Sequence, residues 1–465
     1  MFRREKLSVV LSLVVLGAVM LSACAPAAPT PTPKVVEKVV KETSVVVVTA
    51  TPPPAAPADE VVVGLIVPLS GSMATSGNGC RIAAEVGADI VNNVYPELAA
   101  LGVPFAGEEG IPGLNGAKIK LVVGDDEGVP EKALAETERM ITEEGAHLFV
   151  SSYSSACAAT ASQVAERLGI PYIAPTVTAP DLTERGYKTF FRLSPTDDLC
   201  AKNILAFLAD LNEKYDAGIT RVASLYENTL FGSQSDEAIK KYAPEYGFEV
   251  VASVAYPKET AELTSEIQTL KAANPQVLIP TSYVSDALLT MRTLKDLNVN
   301  LDGIVAQGGG YFQATWQDTV GADGDYVFCR DNFSPDLMLT KPAVEKINDE
   351  LYQPRRALPM DSGAARFIDA VLLAADAINR AGSLEPEALL QALRETDITN
   401  ENLLLPWDGI AFDEKGQNIR AKMLMLQFKD GRYWTVWPWE VSVVGMEGYC
   451  PLDDIVWPMP PWSER

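Results

Sequence analysis

Val61-Val62-Val63-Gly64-Leu65-Ile66-Val67, closed by Pro68-Leu69-Ser70-Gly71, is a short apolar run rich in β-branched residues and ended by turn formers. It reads as a strand buried on both faces, because it is too short for a membrane span and lacks polar alternation. Beyond it, Ile82, Val86 and Ile90 recur at a spacing of four, one face of a helix. The unit then repeats. Ile119 to Val123 is a strand, and Pro130 to Glu144 is a helix with proline in its first turn. His147 to Ser151 and Tyr172 to Ala174 bracket a helix that runs through Leu168. Strand and helix alternating in this way predict a doubly wound parallel sheet.

After Phe191-Arg192-Leu193-Ser194-Pro195 the rhythm restarts. Leu199, Leu205, Leu208 and Leu211 mark a helix, and Arg221 to Tyr226, Val250 to Ala255, Val277 to Pro280 and Ile304 to Gln307 read as strands. A late helix, Arg366 to Ala381, gathers Ile368, Val371, Leu372 and Ala375 on one side. Two such α/β lobes facing each other leave a cleft at their strand ends, where open sheets hold ligands.

The bulk numbers agree and exclude alternatives. A chain of 465 residues suits two or three domains, and 47% hydrophobic residues can fill their cores. The formal charge of −24 argues against a nucleic-acid partner, which needs clustered Lys and Arg. The one histidine, His147, lies in an apolar run and reads as structural, so multi-histidine metal sites are excluded and little supports a nucleophilic triad. There is no phosphate-binding G-x-x-x-x-G-K-[ST] and no G-x-S-x-G. The expectation is therefore a binding protein, neither an enzyme nor a cofactor carrier.

Residues 1–23 read as an export signal, with Arg3, Arg4 and Lys6 ahead of an apolar run from Leu7 to about Leu21. Leu21-Ser22-Ala23-Cys24 resembles the bacterial lipobox, which implies cleavage and lipidation of Cys24. Residues 24–60 form a proline-dense tether, opening Ala25-Pro26-Ala27-Ala28-Pro29 and nearly closing at Thr51-Pro52-Pro53-Pro54. Lipid, spacer and body in that order place the body outside the cytoplasm, anchored to the cell membrane.

Further residues bring a family into view. Pro68-Leu69-Ser70-Gly71, Asn115-Gly116-Ala117-Lys118, and Asp125-Asp126-Glu127-Gly128-Val129-Pro130 follow one another in order. Ser154-Ser155, Gly169-Ile170-Pro171, and Ala174-Pro175-Thr176-Val177-Thr178-Ala179-Pro180 come next, then Phe231-Gly232, Asp369-Ala370-Val371 and Phe412-Asp413-Glu414-Lys415-Gly416. Over about residues 60 to 430 this succession resembles the type I periplasmic binding proteins of the branched-chain amino acid class, solute receptors of ATP-driven (ABC) importers. The resemblance implies two lobes joined by three hinge crossings, near Pro195, Arg330 and Pro406. Lobe 1 would then comprise 61–195 plus 331–406, and lobe 2 would comprise 196–330 plus 407–443. A Trp- and Pro-rich extension, 444–465, follows. It also implies a small polar ligand, permease and ATPase partners, and no cofactor. A sensor domain signalling to a membrane partner would share the fold.

Ser155, beside Ser154 at a strand-to-helix turn, offers a hydroxyl and free backbone N–H groups to a carboxylate. Thr176 and Thr178 flank a turn and offer a carbonyl and a hydroxyl to an ammonium or amide. Phe231 stands where the family has a cleft tyrosine. Tyr226 and Tyr283 end strands of the second lobe and are further wall candidates. Ser76 takes a first-loop position often filled by an aromatic side chain. The departure is at Gln307-Gly308-Gly309-Gly310, where amino-acid binders carry an acid against the ligand ammonium. Either Asp286 or another carboxylate compensates, or the ligand is an amide, urea or an aromatic acid instead of an α-amino acid. With Cys24 lipidated, Cys80, Cys157, Cys200, Cys329 and Cys450 remain. Five is an odd number, so at least one thiol stays unpaired, and a Cys329–Cys450 bridge would pin the tail to the body.

Overall fold

The computed structural model describes residues 59–465. The export signal, Cys24 and the tether up to residue 58 lie outside the described residues. Strands are numbered along the chain, and helices of ten residues or more likewise.

The first segment builds β1 (Glu60–Val67), α1 (Ala74–Asn92), β2 (Lys118–Asp125), α2 (Pro130–Thr142), β3 (Leu148–Val150), α3 (Ser155–Leu168), β4 (Tyr172–Ala174) and β5 (Phe190–Arg192). These strands form one parallel sheet in the order β2-β1-β3-β4-β5. The period of two along β1 divides its side chains between two cores. Val61, Val63, Leu65 and Val67 pack with Val86 and Ile90 of α1, while Ile66 packs with Phe149 and the α3 alanines on the other face. His147 is part of this scaffold, its Nδ1 accepting from the Val62 N–H at 3.0 Å.

The chain then crosses to a second sheet through α4 (Asp197–Tyr215), whose Thr196 cap accepts from the Leu199 N–H. It continues through β6 (Arg221–Glu227), α5 (Leu230–Tyr242), β7 (Glu249–Tyr256), α6 (Thr264–Ala273), β8 (Val277–Thr281), α7 (Val284–Asp296), β9 (Gly303–Ala306) and β10 (Phe328–Asp331). It returns through α8 (Ser362–Ala381), which packs along α1, and a small ladder of β11 (Asp397–Thr399) with β12 (Gly409–Ala411). A third crossing leads to the hairpin of β13 (Leu424–Lys429) and β14 (Arg432–Trp437). The second sheet runs β14-β13-β10-β9-β8-β6-β7, parallel except where β13 meets β10 and β14. The last crossing falls later than Pro406, because Trp407 is fully buried in the first core and Phe412 packs against it.

The C-terminal segment lies on the second sheet. Trp457 covers Gly303 and Phe328, and the Trp462 indole N–H donates to the Val299 carbonyl at 2.8 Å. No disulfide holds it, and the five described cysteines are free. The Cys329–Cys450 pairing fails on geometry. Cys329 points into the core beneath Trp316 and Tyr433, whereas Cys450 packs against the core on the sheet's opposite face. Among the described residues no helix is long and apolar enough to cross a membrane.

Candidate functional site

Between the two sheets lies a small cavity lined from both sides. Most wall segments follow the C-terminal end of a parallel strand or sit on it: Tyr153 and Ser155 after β3, Thr176 to Thr178 after β4, Phe231 after β6, Tyr283 after β8, Gly309 after β9, and Arg330 on β10. The carboxyl ends of the strands in open α/β sheets are where ligands bind. Phe312, in the turn after Gly309, and Arg366 of α8 complete the lining.

Of the residues singled out from sequence, Ser155, Thr176, Thr178, Phe231 and Tyr283 are brought together in this lining. Ser154 stands behind it, beside the Tyr283 hydroxyl, and Ser76 lies behind Tyr153. Tyr226 is not among them. The alternation along β6 turns it toward α5, near Lys240, away from the cleft. Asp286 is also elsewhere. Its carboxylate accepts from the Glu259 N–H at 3.4 Å and faces Lys258, so it compensates nothing in the cavity.

The threonines are already engaged. The Thr176 hydroxyl donates to the Ser152 carbonyl at 2.9 Å, and the Thr176 carbonyl accepts from Arg366 Nη1 at 3.4 Å. The Thr178 carbonyl accepts from the Asp197 N–H at 2.8 Å. An aromatic row forms one wall, with ring centroids 5.8 Å apart for Phe231–Tyr283 and 5.5 Å for Tyr283–Tyr153.

Two buried arginines were not legible as site residues. Arg366 donates from Nε to the Ser362 carbonyl at 3.0 Å and from Nη1 to the Ser194 hydroxyl at 3.0 Å, with its guanidinium 5.3 Å from the Phe312 ring centre. Arg330 is 1% exposed and uses only Nη2, which donates to the Gln307 carbonyl at 2.5 Å. Its Nε and Nη1 have no partner. The signal for them in the sequence is a cation adjoining apolar residues, Val327-Phe328-Cys329-Arg330 in one case and Ala364-Ala365-Arg366-Phe367 in the other.

No acidic residue lines the cavity. Burial raises the carboxyls behind it: Asp331 up to about 6, Glu227 up to about 8, and Asp197 upward as well. Burial also lowers the Arg366 pKa, with Asp331 opposing it. The glycine run has a steric reason. Gly308 has φ of 98°, and a side chain there would begin 2.9 Å from Arg330 Nη2. Where amino-acid binders set an acid, this chain makes room for a guanidinium. Among the described residues no group of His, Cys, Asp and Glu is placed to hold a metal ion.

Comparison with known proteins fits this geometry. A family model for periplasmic binding proteins matches residues 60–432. The chain belongs to that family. The periplasmic binding protein described here is 28% identical over 397 residues to a protein of Brucella abortus named Leu/Ile/Val-binding protein homolog 7, covering 83% of this chain and 93% of that one. Its fold is similar to a leucine-binding protein from Thermotoga maritima, with TM-score 0.67, 21% identity, and 81% and 97% of the two chains covered. It is equally similar to a solute-binding protein from Rhodopseudomonas palustris solved with benzoate, with TM-score 0.67, 18% identity, and 81% and 95% covered. The type I fold with parallel-dominated sheets follows, as does the class of molecule: an extracytoplasmic substrate-binding protein, not an enzyme.

Proposed function

We propose that this periplasmic binding protein is the receptor of an ABC importer, held at the membrane by a lipid on Cys24 and delivering a small carboxylate-bearing solute to permease and ATPase subunits. The observation that carries the reading is the cavity at the converging strand ends, where Ser155 opens α3 and its free backbone N–H groups into a space walled by both sheets. The cavity is small, which suits a metabolite rather than a peptide. Relatives named as Leu/Ile/Val-binding and a fold neighbour solved with benzoate both support a small acid as ligand. Cross-cleft contacts support closure around it: the Ser72 hydroxyl donates to Glu259 at 2.6 Å, and Lys258 Nζ donates to the Gly128 carbonyl at 3.3 Å.

The test is a thermal-shift screen of the whole exported chain against amino acids, short amides, urea and aliphatic and aromatic acids. A ligand at about 100 times its Kd adds about 2.7 kcal/mol to the folded state, which is readily seen as a rise in melting temperature. Uptake of the compound found should disappear when the receptor or its permease is deleted. Binding without any effect on uptake would favour a sensor over a transport receptor.

A further inference from the structure

The lining of the cleft is electrically one-sided. It contains two guanidiniums and no carboxylate. Neither Arg330 nor Arg366 forms an ion pair within 4.0 Å among the described residues. Arg366 is occupied by the Ser362 carbonyl and the Ser194 hydroxyl, both neutral acceptors. Arg330 is different, because two of its three nitrogens are buried without any partner. A guanidinium left so is costly, and an oxyanion placed against it would offset the cost through short charge-assisted bonds. The same environment penalises an ammonium group. It would find two cations, a Thr176 carbonyl already turned toward Arg366, and no carboxyl among the lining residues. Phe231, Tyr283 and Tyr153 form an aromatic row along the same cavity, a wall for an apolar or aromatic body.

We propose that the cleft selects carboxylates that carry no amino group, with the carboxylate paired to Arg330 and an apolar or ring-shaped body lying along Phe231, Tyr283 and Tyr153. The inference rests on the reading of this cavity as the solute site. It makes this chain a receptor for simple organic acids, with the charge at the glycine run reversed relative to an amino-acid binder.

The experiment uses matched compounds on the intact exported chain, freed of bound solute by unfolding and refolding, with calorimetry as the readout. Leucine, 4-methylpentanoate and isopentylamine share one body and differ only in charge. Phenylalanine, 3-phenylpropanoate and 2-phenylethylamine do the same with a ring. The acids should bind, and the parent amino acids should bind at least roughly 100-fold more weakly, the scale set by an unmatched buried charge. The amines should not bind. Arg330→Gln should weaken the acids by a similar factor while near-ultraviolet circular dichroism stays unchanged, and Arg330→Lys should lose less. If Arg330→Gln does not fold, the matched series on the unaltered chain still decides. Amino acids binding as tightly as their des-amino partners would overturn the inference and leave the receptor reading standing. No binding by either series or by the wider solute screen would overturn both.

Discussion

Asp369 lies in the middle of α8, 1% exposed, and its two carboxylate oxygens accept from the Leu404 and Leu405 N–H groups. Burial outweighs those bonds and pushes its pKa up to about 7. A carboxyl whose folded value exceeds its unfolded value of about 3.9 holds a proton that the unfolded chain has lost. Stability therefore falls as pH rises from the unfolded value through the folded one, here between about 4 and 7. Asp126 and Asp331, each raised by burial to about 6, and Glu227, raised to about 8, act in the same direction. The chain should thus melt at a higher temperature at pH 5 than at pH 8. Asp369→Asn keeps an acceptor for the two N–H groups without a titrating proton, and should flatten that slope by roughly 1–3 kcal/mol across the interval. A slope identical in the variant would show that Asp369 is not the group responsible. At this scale the sequence was least informative. Ser155 and Phe231 were legible because a strand-to-helix turn positions them locally. Arg330 and Arg366 were not, since their exposure to one shared cavity depends on which strand lies beside which.

At the scale of elements, most of the fold could be read in advance, because buried parallel strands are continuous apolar runs and helices repeat at 3.6 residues. What could not be read was the tail's attachment. The tryptophans beyond residue 443 show no periodicity, and their partner is a strand about 150 residues earlier. The contact is close: a Cβ at Gly303 would fall 2.4 Å from the Trp457 ring. Gly303→Ala should cost about 1–3 kcal/mol through overpacking. Trp457→Ala should be destabilising by itself, since it uncovers β9 and Phe328. In the double variant the Gly303 penalty should largely vanish, giving a coupling energy of at least about 0.5 kcal/mol in urea unfolding. Strictly additive losses would mean that the tail can leave the strand without strain.

For the whole molecule the question is what closes the cleft. The Ser72–Glu259 bond is exposed, and such contacts contribute at most about 1 kcal/mol. Lys258 reaches a backbone carbonyl of the facing lobe from a half-buried position, so it adds little more. The cavity supplies the stronger term, because in this arrangement Arg330 faces it buried with two nitrogens unpartnered. Closure without ligand would strand that guanidinium, and closure around an acid would pair it. The ligand-free chain should therefore populate an open arrangement. Adding the bound acid should reduce the radius of gyration in small-angle X-ray scattering, as a hinge closure does. Ser72→Ala should leave both the compaction and the affinity within about 1 kcal/mol of the unaltered chain. Arg330→Gln should behave differently at this scale too: with no cation to pair, it should close more readily without ligand and compact less on adding acid. A ligand-free chain already as compact as the loaded one would place the closing force in the lobe contacts instead of the solute.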